Sequence, residues 1–260
     1  MSTPQDLPPG RAAAAGSLAG RAALVVGGSG GLGRAVAVEL ARRGAALQIH
    51  GGSSRDRLDE ALREARAQAA GGAAVSGFLQ RIDRPADILA RLPGLGRIDI
   101  VVCAFGPFVR KSLAATTPDD WERVALLDLA LPGALASALL PGMAGNGWGR
   151  MLFFGGTRTD GIRAYASNAA YAAAKTGLAV IVKSLAAEGA RSGVACLAVC
   201  PGLVDTEYLD EHARRDLRGK APRGDLLSAR DIAGAAVALI AADPCAASGA
   251  ILTMDAGLAF

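Results

Sequence analysis

Short apolar runs alternate with longer, helically periodic stretches along almost the whole chain. The apolar runs are AALVVG (22–27), ALQIH (46–50), VSGFL (75–79), IDIVVC (98–103), RMLFFG (150–155), VACLAVC (194–200) and AILTM (250–254). Most are nearly continuous in Val, Ile, Leu and Phe, as in strands buried on both faces; VSGFL is the weakest. Between them, RAVAVELARRG, RDRLDEALREARAQA, PADILARL, PDDWERVALLDLALPGALASALL, YAAAKTGLAVIVKSLAAEGA and ARDIAGAAVALIAA repeat apolar positions at i, i+3, i+4 and i+7. Strand and helix in alternation predict βαβ units, hence an α/β domain with a parallel sheet covered on both faces. Residues 203–227 (LVDTEYLDEHARRDLRGKAPRGDLL) break the rhythm; charged and containing Gly and Pro, they predict a flap over a site. Residues 1–19, rich in Pro, Ala and Gly, predict a flexible leader ahead of one domain at 20–260. No second domain and no sequence repeat is evident.

Composition narrows the class. Hydrophobic residues make up 51%, but the longest uncharged run, 129–149, is broken by Pro132, Pro141 and several Gly, and the leader lacks the apolar core of a signal peptide, so a cytoplasmic protein without a membrane span is expected. The net charge is +4, carried almost entirely by scattered Arg; Lys occurs only at 111, 175, 183 and 220. That spread predicts a solvated surface rather than a nucleic-acid patch, and aromatics at 4% are too sparse for base-stacking platforms. Of four cysteines, Cys196 and Cys200 lie about 13 Å apart along one predicted strand, too far for a disulfide. There is no CxxC and no nearby His, so Cys103, Cys196, Cys200 and Cys245 read as small hydrophobes and no metal site is expected.

The first strand runs into Gly27-Gly28-Ser29-Gly30-Gly31-Leu32-Gly33 and then a helix. Gly28-x-Gly30-x-x-Gly33 and Gly27-x-x-x-Gly31-x-Gly33 both fit turns in which bare backbone approaches a pyrophosphate held at a helix N-terminus. After the second strand, Ser53, Ser54 and Arg55 stand where an acidic residue would read a ribose 2′-OH, and nothing acidic appears before Asp56. Ser and Arg hydrogen-bond a 2′-phosphate, which favours NADP(H) over NAD(H); the serines equally suit a helix cap at Arg55.

YAAAK places Tyr171 and Lys175 on one helix face. A phenol near pKa 10 is a poor acid at neutral pH, and an adjacent ammonium lowers that value. Tyr171 could then protonate a carbonyl oxygen as hydride arrives at its carbon, or take the proton in reverse.

With these motifs, PGLVDT (Pro201, Gly202, Thr206) and the ending SGAILTMDAG, the chain resembles the short-chain dehydrogenase/reductase family over about residues 18–260. The resemblance implies one doubly wound Rossmann-type domain with a seven-stranded parallel sheet, often a homo-tetramer or dimer, oxidising alcohols or reducing carbonyls of small molecules with NAD(P). It carries cofactor contacts onto Gly27, Ser29, Gly30, Gly31, Leu32 and Gly33, onto Ala104, Phe105 and Gly106, onto Tyr171 and Lys175, and onto Pro201, Gly202, Val204 and Thr206. The apolar helix after Tyr171 (GLAVIVKSLAA) is a candidate face for a partner copy.

The chain also departs from the family pattern. The Thr before the first glycine is Val26, the Asp after the third strand is Arg81, and Asn-Asn-Ala-Gly is Cys103-Ala104-Phe105-Gly106. Val26 and Cys103, both apolar, are expected to compensate as a packed pair. The helix Asn is Asp128, either a partner that raises the pKa of Lys175 or a plain surface or capping residue. The Ser that binds the substrate carbonyl falls on Gly156 by strand alignment and on Arg158 by count from Tyr171. Thr157 is the expected substitute donor, with Arg158 as rival and Thr159 next. Three functions follow: an NADP(H)-dependent carbonyl reductase acting on a small or acyl-type substrate through Tyr171, Lys175, Thr157 and Asp128; a catalytically weak relative that binds cofactor in a regulatory role; or an enzyme whose substrate brings its own polarisation or presents an enoyl rather than a keto group. Glu207, Tyr208, Arg214 and Arg215 of the flap suggest a polar rim.

Overall fold

The computed structural model describes residues 17–258. Most of the expected leader therefore lies outside the described residues; of its last three positions, Leu18 is buried in the core. In chain order the elements are β1 (Ala22–Val26), α1 (Gly31–Arg42), β2 (Ala46–Gly51), α2 (Arg55–Gln68), β3 (Val75–Leu79), α3 (Pro85–Leu89), β4 (Ile100–Cys103), α4 (Pro118–Val124), α5 (Leu131–Gly145), β5 (Gly149–Phe154), α6 (Ala169–Gly189), β6 (Val194–Pro201), β7 (Val204–Asp205), α7 (Glu211–Lys220), β8 (Leu227–Ser228), α8 (Ala229–Ala241) and β9 (Ile251–Met254).

All seven apolar runs become strands of one parallel sheet, ordered β3-β2-β1-β4-β5-β6-β9. Alternate residues feed two cores: Ala23 and Val25 pack with α1, α2 and α8, whereas Leu24 and Val26 pack with α3, α5 and α6. This doubly wound order reverses between β1 and β4, where the diverging connections leave a crevice at the strand C-termini. Val26 and Cys103 are register partners across β1 and β4 and share one core, the apolar compensation expected from the sequence.

The run 118–140, helical by its apolar spacing, is interrupted at Asp128. Ala125–Ala130 form a π-helical turn between α4 and α5, and this turn carries Asp128 inward to complete burial. Such one-turn insertions re-aim side chains and recur at functional sites. The 203–227 segment contains the short β7–β8 pair and α7 rather than irregular loop alone. At the opposite end of the sheet, buried Arg150 donates to the carbonyls of Ile240, Gly149, Gly193 and Ala242, tying β5 to the end of α8. All four cysteines are free, and Cys103, Cys196 and Cys200 are buried.

Candidate active site

The glycine turn links β1 to α1 at the crevice. Gly27 has φ +81°, and a Cβ there would lie 2.7 Å from the Ala104 carbonyl oxygen, so backbone packs on backbone. A Cβ at Gly33 would strike the Gly27 carbonyl, so this glycine serves helix–strand packing rather than lining the cleft. The first N–H of α1 already holds an anion: Gly31 donates to the Glu207 carboxylate at 2.9 Å, and Arg34 lies 3.8 Å from the same oxygen. A carboxylate standing there shows that the bare backbone and dipole of this helix end accept negative charge, as a pyrophosphate requires.

Beside the turn is a cleft of about 530 Å3, a size usual for cofactor sites. Its lining brings together Gly27, Ser29, Gly30, Gly31 and Leu32, Ser53 and Ser54, Ala104, Phe105 and Gly106, and Thr157, Tyr171, Lys175, Pro201 and Thr206. These residues fit a dinucleotide. A larger cleft of about 750 Å3 lies outside α1, between Arg34, Glu64 and Arg230, and contains none of the predicted catalytic side chains.

Lys175 is buried on α6. Its Nζ donates to the Phe154 carbonyl at 3.0 Å and lies 3.0 Å from Asp128 Oδ1. Asp128 is therefore a buried partner of the lysine, not a surface residue. The pair is a charge contact without good alignment, because neither Asp128 oxygen has a well-directed hydrogen-bond donor. Gly106 is the one residue kept from the family's Asn-Asn-Ala-Gly, and a Cβ there would collide with Asp128 Oδ1. Burial pulls the lysine down, but the charges of Tyr171 and Asp128 leave it above its usual value, firmly an ammonium. Burial pushes the Asp128 carboxyl up, opposed by Lys175.

The lysine Nζ lies 5.8 Å from the centre of the Tyr171 ring. Lys175 pulls the phenol down, as expected, yet burial outweighs it, and Asp128 and Cys200 add to the rise. The expected low phenol pKa is thus reversed here: Tyr171 stands above the usual tyrosine value. The Tyr171 and Phe108 rings meet edge to face, centroids 4.9 Å apart.

No side-chain hydroxyl replaces the family serine at its own position. A Cβ on Gly156 would lie 2.6 Å from Tyr171 Cε1, so the tyrosine ring fills that space. Thr157 lines the cleft but donates to the Gly202 carbonyl at 3.3 Å. Thr159 is buried, accepting from Gly156 N at 2.8 Å and donating to the Gly156 carbonyl. Arg158 adopts φ +64°, with its carbonyl accepting from the Tyr165 hydroxyl.

At the adenosine end, Ser54 caps α2 by accepting from Arg57 N at 3.3 Å while also lining the cleft. Arg55 is not in the lining; it points along the helix surface, 4.0 Å from Asp59. Arg57, which the sequence reading missed, lines the cleft instead and stacks on the Tyr208 ring, 5.2 Å from its centroid. Arg81 is exposed and paired with Asp83. Gly202 and Val204, expected to contact the cofactor, are not in the cleft lining: Gly202 packs on Asp255, and Val204 pairs with Leu227. The flap residues Glu207 and Tyr208 lie directly on Gly30 and Gly31, closer to the turn than a rim position implies. Among the described residues no cluster of His, Cys, Asp and Glu is arranged to hold a metal.

Residues 27–259 match the family described as enoyl-(acyl carrier protein) reductase. The 3-oxoacyl-(acyl-carrier-protein) reductase of Pseudomonas aeruginosa is 32% identical over 93% of this chain and 98% of its own. The D-beta-hydroxybutyrate dehydrogenase of Cupriavidus necator is 29% identical over 92% of this chain and 98% of its own. The crystal structure of a 3-oxoacyl (acyl-carrier-protein) reductase from Agrobacterium tumefaciens, with NADP bound, superposes with TM-score 0.82 at 26% identity, covering 95% of this chain and 98% of that one. The family match over residues 27–259, 32% identity at near-complete coverage and the superposition of the whole domain place the chain in the short-chain dehydrogenase/reductase family, as an NAD(P)-dependent oxidoreductase of CH–OH and C=O groups.

Proposed function

We propose that the protein is an NADP(H)-dependent reductase of the carbonyl group in a small or acyl-type substrate, with Tyr171 as the proton donor. The observation that carries this reading is the meeting of Tyr171, Lys175 and the bare glycine turn in one cleft. Tyr171 is protonated at neutral pH, the form that donates to a carbonyl oxygen, and the Lys175 ammonium opposes the burial that weakens it as an acid. Lys175, held charged between Asp128 and the Phe154 carbonyl, stabilises the phenolate left behind. NADPH, when bound, supplies hydride to the carbonyl carbon. Gly27, Ser29, Gly30, Gly31 and Leu32 hold its pyrophosphate; Ala104, Phe105, Gly106, Pro201 and Thr206 flank the rest. Thr157 serves as second donor to the substrate oxygen by giving up its long bond to Gly202.

The 2′-phosphate reading rests on Ser53, Ser54 and Arg57, since no carboxylate lines that end of the cleft. The bound NADP of the Agrobacterium structure supports the same choice. A 3-oxoacyl or 3-hydroxyacyl substrate suits the aromatic wall of Phe105 and Phe108 and the names of the relatives from Pseudomonas and Cupriavidus. The α5–α6 face, where Val180 is 70% exposed, is the candidate surface for a partner copy. Following NADPH absorbance with 3-oxoacyl thioesters and simple ketones tests the function; turnover with NADH but not NADPH would reverse the cofactor assignment.

A further inference from the structure

The base of the glycine turn is held by one buried ring. His50, at the end of β2, has no exposed surface. Its Nδ1 lies 3.1 Å from the Gly27 amide nitrogen, its Nε2 lies 2.7 Å from the Gln80 carbonyl oxygen, and its own carbonyl accepts from Gly28 N at 3.0 Å. The ring tilts on Phe78 of β3 at 5.6 Å and meets Phe105, just beyond β4, edge-on at 5.9 Å. One imidazole thus touches the C-terminal ends of β1, β3 and β4 from its own place on β2.

The two partners fix the ring's protonation. A backbone N–H only donates, so Nδ1 must present a lone pair; a carbonyl only accepts, so Nε2 must carry the hydrogen. A proton on Nδ1 would set two N–H groups against each other and release Gly27, the first residue of the turn. The groups facing the ring are the Gly27 amide, the Gln80 carbonyl, Phe78 and Phe105. Arg91 is the charge behind them, stacked on Phe78 at 5.1 Å.

We infer that His50 is a positioning residue for the cofactor: its neutral ring holds the glycine turn in the shape that binds the nucleotide, and protonation of Nδ1 loosens that hold. The inference rests on reading the cleft as a nucleotide site. It makes cofactor affinity depend on a ring that touches neither Tyr171 nor Lys175. Burial favours the neutral form and keeps the ring below the usual histidine value.

The test compares full-length wild type, His50→Asn and His50→Leu. Asn places an acceptor where Nδ1 was and cannot titrate; Leu removes the acceptor. NADPH dissociation constants are measured from about pH 8 down to about pH 4.5, well below the ordinary histidine range because burial holds this ring down. At the alkaline end, His50→Asn should bind as wild type and His50→Leu roughly tenfold more weakly, as expected for one orphaned buried donor. KM for the nucleotide should rise in the Leu variant with kcat at saturation kept. At the acid end the wild type should lose affinity more steeply than His50→Asn, since titration of the nucleotide's phosphate is common to both. Equal pH dependence in wild type and His50→Asn, or wild-type affinity in a folded His50→Leu, overturns the inference. Failure of all three proteins to bind nucleotide overturns the cofactor reading instead. Exchange of the Gly27 amide with solvent then still decides the role of His50: slower in wild type than in His50→Leu supports it, and equal rates refute it.

Discussion

Asp128 Oδ1 lies 3.0 Å from Lys175 Nζ, with both side chains almost wholly shielded from water. The carboxylate keeps the lysine charged and raises the phenol of Tyr171. It therefore favours the protonated tyrosine, the form needed to reduce a carbonyl, at the expense of the phenolate needed to oxidise an alcohol.

Replacing Asp128 by Asn separates these effects. Without the negative charge the Tyr171 phenol ionises more easily, so the rising limb of alcohol oxidation against pH should move to lower pH. An unchanged profile would show that Asp128 has no electrostatic hold on Tyr171. Asp128→Ala should also destabilise the fold by about 3–5 kcal/mol, because it strands a buried ammonium. Asn still offers the ammonium an acceptor and should cost much less. Chemical denaturation of both variants checks the difference.

Restoring the family's serine should not restore a better enzyme. In Gly156→Ser the new Cβ would sit 2.6 Å from Tyr171 Cε1, closer than any ordinary contact. The ring must shift from its contact with Phe108, so kcat should fall, by about tenfold if the acid is displaced but still donates, short of the roughly hundredfold or more that its full loss would cost. A rise in kcat would mean that Tyr171 moves aside freely and that a hydroxyl at this position is what the enzyme lacks.

The Glu207 carboxylate occupies the N–H that a pyrophosphate would use. Binding must displace it, so Glu207→Gln should tighten NADPH by about two- to fivefold, the scale of one exposed charge at a helix end. Calorimetric titration at low ionic strength gives the clearest reading. Weaker binding in the variant would show that Glu207 assists the nucleotide.

Burial depresses the His50 pKa below its value of 6.5 in the unfolded chain. The unfolded state therefore takes up the proton first on acidification. The stability owed to the neutral ring is complete above about pH 6.5 and is lost progressively below it. Thermal midpoints should accordingly fall less steeply with acid in His50→Asn than in wild type; parallel slopes would remove His50 from the acid response.

The sheet was legible because each of its strands is an apolar run flanked by turn residues, and Tyr171, Lys175 and the glycine turn because fixed spacing expresses their chemistry. What escaped depends on phase and distance. The π-helical turn hides in ALLDLAL, whose apolar residues fit a regular helix equally well, yet it carries Asp128 inward. Arg55 and Arg57 are two residues apart, but their places in the first turn of α2 send one along the surface and the other into the cleft. Nothing local marks His50 at the end of the second apolar run; its role shows only when Gly27 and Gln80 come within hydrogen-bonding reach. The contact from Glu207 to Gly31 spans 176 residues, beyond any local pattern.

The most direct measurement is NADPH oxidation with a 3-oxoacyl thioester by wild type and Tyr171→Phe, with nucleotide affinity measured on both. The expected result is turnover by wild type, unchanged affinity in the variant and a rate loss of at least about a hundredfold. Turnover by Tyr171→Phe at the wild-type rate would contradict the assignment of Tyr171 as the acid.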